Sequence, residues 1–149
     1  MGNQLPQWEN IPFLRSSIIN DLFLIANKLP KETKDNIIKE ADYLLKGYYL
    51  LFSHHRIKLN KFDYNMDPFE KIVWPVGRHS SSYFQFDSRY GDIKRVWELN
   101  RLQYLDPILV AFLVNDKEAK KRYIAFFIDT VESWLEQNPH KQTVAWACS

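Results

Sequence analysis

The stretch Leu105-Asp106-Pro107-Ile108-Leu109-Val110-Ala111-Phe112-Leu113-Val114-Asn115-Asp116-Lys117-Glu118-Ala119 decides the fold class. From Leu105 to Leu113 it is apolar almost all round, the pattern of a helix buried on most of its sides. It forms the second half of a helix expected from Asp92, an acidic N-cap, to Val114. Pro107 interrupts that helix, which predicts a kink or two shorter pieces. Asn115 and Glu118 have the spacing of a capping box. A further helix is expected from Asp116 to Gln137, with Ala119, Tyr123, Phe126, Phe127, Val131, Trp134 and Leu135 as its apolar stripe and Pro139 just beyond it. Only a residue or two around Asn115 separates the two helices, so they are expected to be antiparallel neighbours. The class is mainly α.

Working back from this hairpin, two earlier helices are expected. The first runs from about Pro12 to Asn27, with Leu14, Ile18, Leu22, Ile25 and Ala26 recurring at spacings of three and four. Pro30 enforces its stop. The second runs from about Lys34 to Phe52, with Thr33 as N-cap and Ile37, Ile38, Ala41, Leu44, Leu45, Tyr48 and Tyr49 facing inward. Gly47 weakens it by roughly 1 kcal/mol relative to Ala, which favours a kink or an early end there. Between Ser53 and Gly91 the periodicity is lost. Pro68, Pro75 and Gly77 punctuate a long irregular segment, expected to pack on the helices through Phe62, Phe69, Trp74, Phe84 and Phe86.

The length of 149 residues fits one domain, 1–149. Hydrophobic residues make up 46% and charged residues 26%, which is ordinary for a globular chain and excludes a disordered one. A formal net charge of +2 lacks the basic footprint of a nucleic-acid partner. The densest basic run, Lys117 to Arg122, reads as a solvated helix face. The single cysteine, Cys148, excludes an internal disulfide and a cysteine-based zinc cluster. Met1 to Asn10 has no signal-peptide pattern, and Ile18 to Leu29 is too short and too polar to span a bilayer. As written, the chain is expected to be cytoplasmic, with no membrane partner.

Catalytic motifs are missing. There is no GxxxxGK[ST], GxGxxG or GxSxG, and 4 glycines in all leave no phosphate cradle or cofactor loop. His54-His55 is read as a helix-end pair near the C-terminal carbonyls, because neighbours on a helix point about 100° apart and do not readily share one metal ion. No catalytic or metal-ligand set is assigned. The segment Gly91-Asp92-Ile93-Lys94-Arg95-Val96-Trp97-Glu98-Leu99-Asn100-Arg101 is the most informative. On a helix, Lys94, Trp97, Glu98 and Arg101 form one polar and aromatic strip. It reads either as an exposed face with Glu98 paired to Lys94 or Arg101, or as a cleft surface for an anionic ligand. In the second reading Trp97 stacks and Arg101 gives bidentate contacts.

Asp92-x-Lys94-x-x-Trp97-Glu98-x-x-Arg101, then Ser133-Trp134-x-x-x-Asn138-Pro139 and Trp146, with Tyr64-x-x-Asp67-Pro68 and Trp74-Pro75 upstream, resemble the N-terminal domain of the heparinase II/III family of polysaccharide lyases. The resemblance is clearest over residues 41–146. Thr143 stands where the family usually has glycine, and Ala145 where asparagine is common. The resemblance implies a partial (α/α) toroid of antiparallel helical hairpins, and acidic polysaccharides as the substrate class, cleaved by β-elimination at a uronic acid. It places Trp97, Glu98 and Arg101 as substrate-binding residues and the catalytic groups in a region after Ser149, so the C-terminal lyase domains are the expected missing partners. A truncated, catalytically incomplete chain is the expectation; a non-enzymatic helical binding or scaffold module is the alternative.

Overall fold

A computed structural model describes residues 16–59, 62–84, 88–115 and 117–148. It is mainly helical. Helices α1 (Ser16–Lys28) and α2 (Lys31–Leu45) are followed by strands β1 (Tyr48–Leu51) and β2 (His55–Lys58), then α3 (Ile93–Asn100), α4 (Asp106–Val114) and α5 (Lys117–Gln137). Short 3-10 turns occupy Ser80–Phe84, Ser88–Tyr90, Gln103–Leu105 and Val144–Cys148.

The long apolar stretch forms a helix but is less enclosed than its pattern predicts, with Leu109 42% exposed and only Ile108 and Ala111 buried, because its neighbours cover it on only part of its circumference. Helix α4 packs against α1, α2 and α5, and Ile108 and Ala111 are fully enclosed. Helices α4 and α5 follow each other closely in sequence and pack together. Tyr123 at 1% exposure, with Phe126, Phe127, Val131 and Trp134, joins α5 to a core that includes Ala41 and Leu44 of α2. Leu135, expected in the same stripe, is 58% exposed, whereas its neighbour Trp134 packs on the core. The first helix departs further. Its start from Pro12 to Arg15 lies outside the described residues, and of its stripe Ala26 is buried while Leu22 and Ile25 are exposed. Among the described elements it packs chiefly on α4, so only one narrow face is covered.

Three boundaries differ from expectation. Helix α2 starts after Pro30, so Thr33 lies within it and does not cap it. It ends at Leu45, not Phe52: Gly47 takes φ +80°, a conformation open to glycine, and donates its N–H to Leu44 O at 2.8 Å. The chain then forms an antiparallel hairpin pairing Tyr48 with Lys58 and Leu51 with His55. His54 and His55 therefore sit at a hairpin turn, not at a helix end, with ring centroids 4.1 Å apart. The third helix breaks at Leu102 (φ 57°), five residues before Pro107. Pro107 instead starts α4, where its missing N–H leaves no bond unmade. The Asn115 side chain turns back to donate through Nδ2 to Ala111 O at 3.0 Å.

Helix α3 is capped as expected, the Asp92 side chain accepting from Lys94 N at 2.9 Å. It divides two apolar cores. Leu99 belongs to the α2–α4–α5 core, whereas Val96 packs with Trp74, Tyr83, Val144 and Ala147. Phe62 and Phe69 lean on the first core and Trp74 enters the second; the side chain of Phe84, and Phe86, lie outside the described residues. No helix among the described residues is long and apolar enough to cross a membrane.

Candidate functional site

The strip on α3 does not form one open surface. Trp97 is half-buried against the second core and its indole N–H donates to Val144 O at 3.1 Å. Glu98 turns the other way. Its Oε1 accepts from Phe52 N at 2.9 Å, and its side chain is 13% exposed. That bond meets a local need, since Phe52 and Ser53 have φ of 51° and 62°, a region that costs a side-chain-bearing residue roughly 1–2 kcal/mol. Arg101 pairs with Glu98 Oε2 at 3.3 Å and stays 55% exposed. Of the three candidate substrate-binding residues, two are engaged in holding other segments and only Arg101 is presented to solvent.

Tyr64, Trp134, Asn138 and Trp146 of the family-like motifs come together near the end of α3. Asn100, at the end of α3, donates through Nδ2 to Tyr64 O (2.7 Å) and Val96 O (2.8 Å). Its Oδ1 accepts from Trp134 Nε1 at 2.9 Å and from Asn138 Nδ2 at 3.3 Å. Asn138 extends the chain of bonds: Oδ1 accepts from Thr143 Oγ1 at 2.8 Å, and its backbone O accepts from Trp146 Nε1 at 3.1 Å. The Trp134 and Trp146 rings lie 5.5 Å apart. Thr143 is fully buried. A hydroxyl at this position thus completes the Asn138 amide, which a glycine would not do.

Asp67, from the Tyr64-x-x-Asp67-Pro68 motif, has a fully buried side chain. Its Oδ1 accepts from Phe69 N (2.8 Å) and Glu70 N (3.0 Å), and its Oδ2 faces Arg95 Nη1 at 3.5 Å. Gly91 (φ +78°) lets the chain pass this carboxylate: a Cβ there would stand 2.8 Å from Asp67 Oδ2. The Glu70 hydrogen bond at 2.6 Å, helped by the charges of Asp67 and Glu70, raises the Arg95 pKa above its ordinary value and outweighs the opposing effect of burial. Sequence reading marked Tyr64, Asp67, Trp134 and Asn138 but missed Asn100, whose signal was only its place within α3.

A separate cavity of ≈ 460 Å³ opens on the other side of α3, between α2, the hairpin and the start of α4. Glu40, Glu98 and Asp106 bring three carboxylates to its wall, with Tyr48, Gln103 and Tyr104. Glu98 alone of the expected trio reaches it. Burial pushes the Tyr49 hydroxyl up to about 12 and raises Tyr64 and Tyr104 above their ordinary values. These phenols stay neutral at physiological pH; the Tyr64 hydroxyl donates to Thr130 O at 3.2 Å and the Tyr104 hydroxyl to Tyr64 Oη at 3.5 Å. Among the described residues no three His, Cys, Asp or Glu side chains are arranged to hold a metal ion.

Comparison of the chain with family models, with curated proteins and with solved structures found no match.

Proposed function

We propose that this chain is the N-terminal helical part of a heparinase II/III-like polysaccharide lyase, a partial (α/α) toroid without a catalytic set of its own. The observation that carries this reading is the convergence of the motif residues. Trp134 and Asn138 and the backbone oxygen of Tyr64 bond directly to Asn100, and Trp146 joins them through the Asn138 backbone oxygen. Contact with an acidic polysaccharide falls to Arg101, helped by the exposed Lys94 about two turns earlier.

In this reading the chain positions a sugar polymer and the elimination chemistry belongs to groups outside it. The purified chain therefore gives no unsaturated-uronate absorbance with heparin, heparan or alginate, since without a base and a carboxylate neutraliser the barrier stays high. Heat-sensitive turnover above a buffer control would overturn the assignment of catalysis to another region. The DNA after the Ser149 codon is the sharper test. Toroid and β-sandwich sequence there, in frame or shifted, supports the lyase reading. Unrelated sequence favours the second reading, a non-enzymatic helical scaffold, which the structural engagement of Trp97 and Glu98 also supports.

A further inference from the structure

Two buried side-chain atoms, Asn65 Oδ1 and Trp74 Nε1, have no hydrogen-bond partner among the described residues. Both residues are only 3% exposed, so bulk solvent does not reach either atom. An unbonded polar atom in such a place costs about as much as a lost hydrogen bond, and buried polar groups are therefore paired as a rule. The rest of Asn65 is committed. Its N–H donates to Asp63 Oδ1 at 2.9 Å, its backbone O accepts from Trp74 N at 2.7 Å, and its Nδ2 donates to Gln137 O at 3.2 Å. The last bond fixes the orientation of the amide, because a carbonyl can only accept, and it turns Oδ1 away from Gln137.

The backbone brings the two atoms to one face. Met66 and Val73 form an antiparallel bridge, flanked by the bonds from Trp74 N to Asn65 O and from Asp67 N to Ile72 O at 2.8 Å. Asn65 and Trp74 are thus directly opposite each other. Side chains so related stand on the same side of the ladder, with Cβ atoms roughly 5 Å apart. One orphan atom is an acceptor and the other a donor. A cation would answer only the first and an anion only the second. We propose that a single internal water molecule bridges them, donating to Asn65 Oδ1 and accepting from Trp74 Nε1. Water is the smallest molecule that does both, and two polar partners are enough to hold it inside a protein. Trp74 belongs to the apolar cluster with Tyr83, Val96 and Val144. The water carries its indole to Asn65, and through Nδ2 to the end of α5 at Gln137, a tie between the second core and α5 that does not pass through Asn100. The proposal does not rest on the lyase reading, and either can fail alone.

The test follows the indole proton of Trp74 by NMR in the intact, nitrogen-15-labelled chain, its resonance assigned by its loss in Trp74→Phe. A bound water gives this proton a cross-peak to the water resonance whose sign differs between laboratory-frame and rotating-frame Overhauser spectra, which simple proton exchange does not. That sign change is expected. Asn65→Leu removes the acceptor, and the cross-peak should vanish while the other resonances keep their folded dispersion. If that variant does not fold, a crystal structure of the unaltered chain decides in its place: a water within hydrogen-bond reach of both Asn65 Oδ1 and Trp74 Nε1 is expected. No water cross-peak at Trp74, one of the same sign in both spectra, an undiminished cross-peak in folded Asn65→Leu, or crystal coordinates with no water bridging the two atoms would each overturn the proposal.

Discussion

Two halves of this molecule are held by different means. Around α4, contacts are almost wholly apolar: Ile108 and Ala111 are enclosed by α2 and α5 with Leu44, Ala41 and Tyr123 about them. Around the end of α3, the irregular segment and the C-terminal turn are joined by hydrogen bonds among Asn100, Trp134, Asn138, Thr143 and Trp146. The first kind of contact is non-directional and shared among many atoms, so it tolerates a change of shape. The second depends on individual groups whose partners are buried, and deleting one strands the others. A lone methyl in the first half and a lone amide in the second should thus differ several-fold in what their removal costs.

The largest effect is expected for Asn100→Ala. It leaves Tyr64 O, Trp134 Nε1 and Asn138 Nδ2 without this partner, and at about 1–3 kcal/mol for each stranded buried group the loss should reach roughly 3–5 kcal/mol. Thermal unfolding should show it as a drop in Tm on the order of 10 °C. A loss below about 1 kcal/mol would mean that the junction relaxes freely and that the contrast between the halves is unfounded.

Alkaline pH attacks the apolar half through its tyrosines. Tyr49, Tyr64 and Tyr104 have folded-state values raised chiefly by burial, Tyr49 to about 12, whereas the unfolded value is 10.0. Their neutral forms are favoured in the folded state, so their contribution is fully present below pH 10 and is lost as pH rises towards 12. Each tyrosine removes up to about 1.4 kcal/mol per pH unit in that window. Urea titrations at pH 9, 10 and 11 should therefore show stability flat at first and then falling, and Tyr49→Phe should flatten the fall. A decline that begins well below pH 10 would point to other groups.

Ile108→Val should be milder, about 0.5–1.5 kcal/mol, since one buried methylene is lost from a site where neighbours fill in. If it matched Asn100→Ala in denaturant melts, the two halves would not differ in kind. Arg101→Ala should cost least, within about 1 kcal/mol, because its guanidinium is 55% exposed and screened by water. A loss of 3 kcal/mol or more would instead make the Glu98–Arg101 pair a buried structural bridge.

The two halves also differed in how far they could be read from sequence. Periodicity exposed the α4–α5 pair, Asp92 announced the start of α3, and Gly47 marked a weak point that became the end of α2. The β1–β2 hairpin was hidden because Tyr48, Tyr49, Leu51 and Phe52 continue the apolar pattern of α2, and aromatic residues suit a pleated surface as well as a helix. Its turn lacks a glycine, and what steadies Phe52 is Glu98, 46 residues away. The polar junction was partly visible as motifs, but no spacing rule links Asn100 to Tyr64 or Thr143 to Asn138. Trp97 and Glu98 looked like one strip, yet adjacent helix positions point to different sides, and here the two sides belong to different packing environments.

The central claim is that Asn100 and Asn138 act as one connected unit that ties α3 to the end of α5. A double-mutant cycle with Asn100→Ala, Asn138→Ala and the pair, read by urea unfolding, tests it most directly. The account predicts that the double variant loses less than the sum of the single losses, with a coupling of at least about 1 kcal/mol, while Asn100→Ala and Ile108→Val combine additively to within about 0.5 kcal/mol. Additive losses for the two asparagines would contradict it.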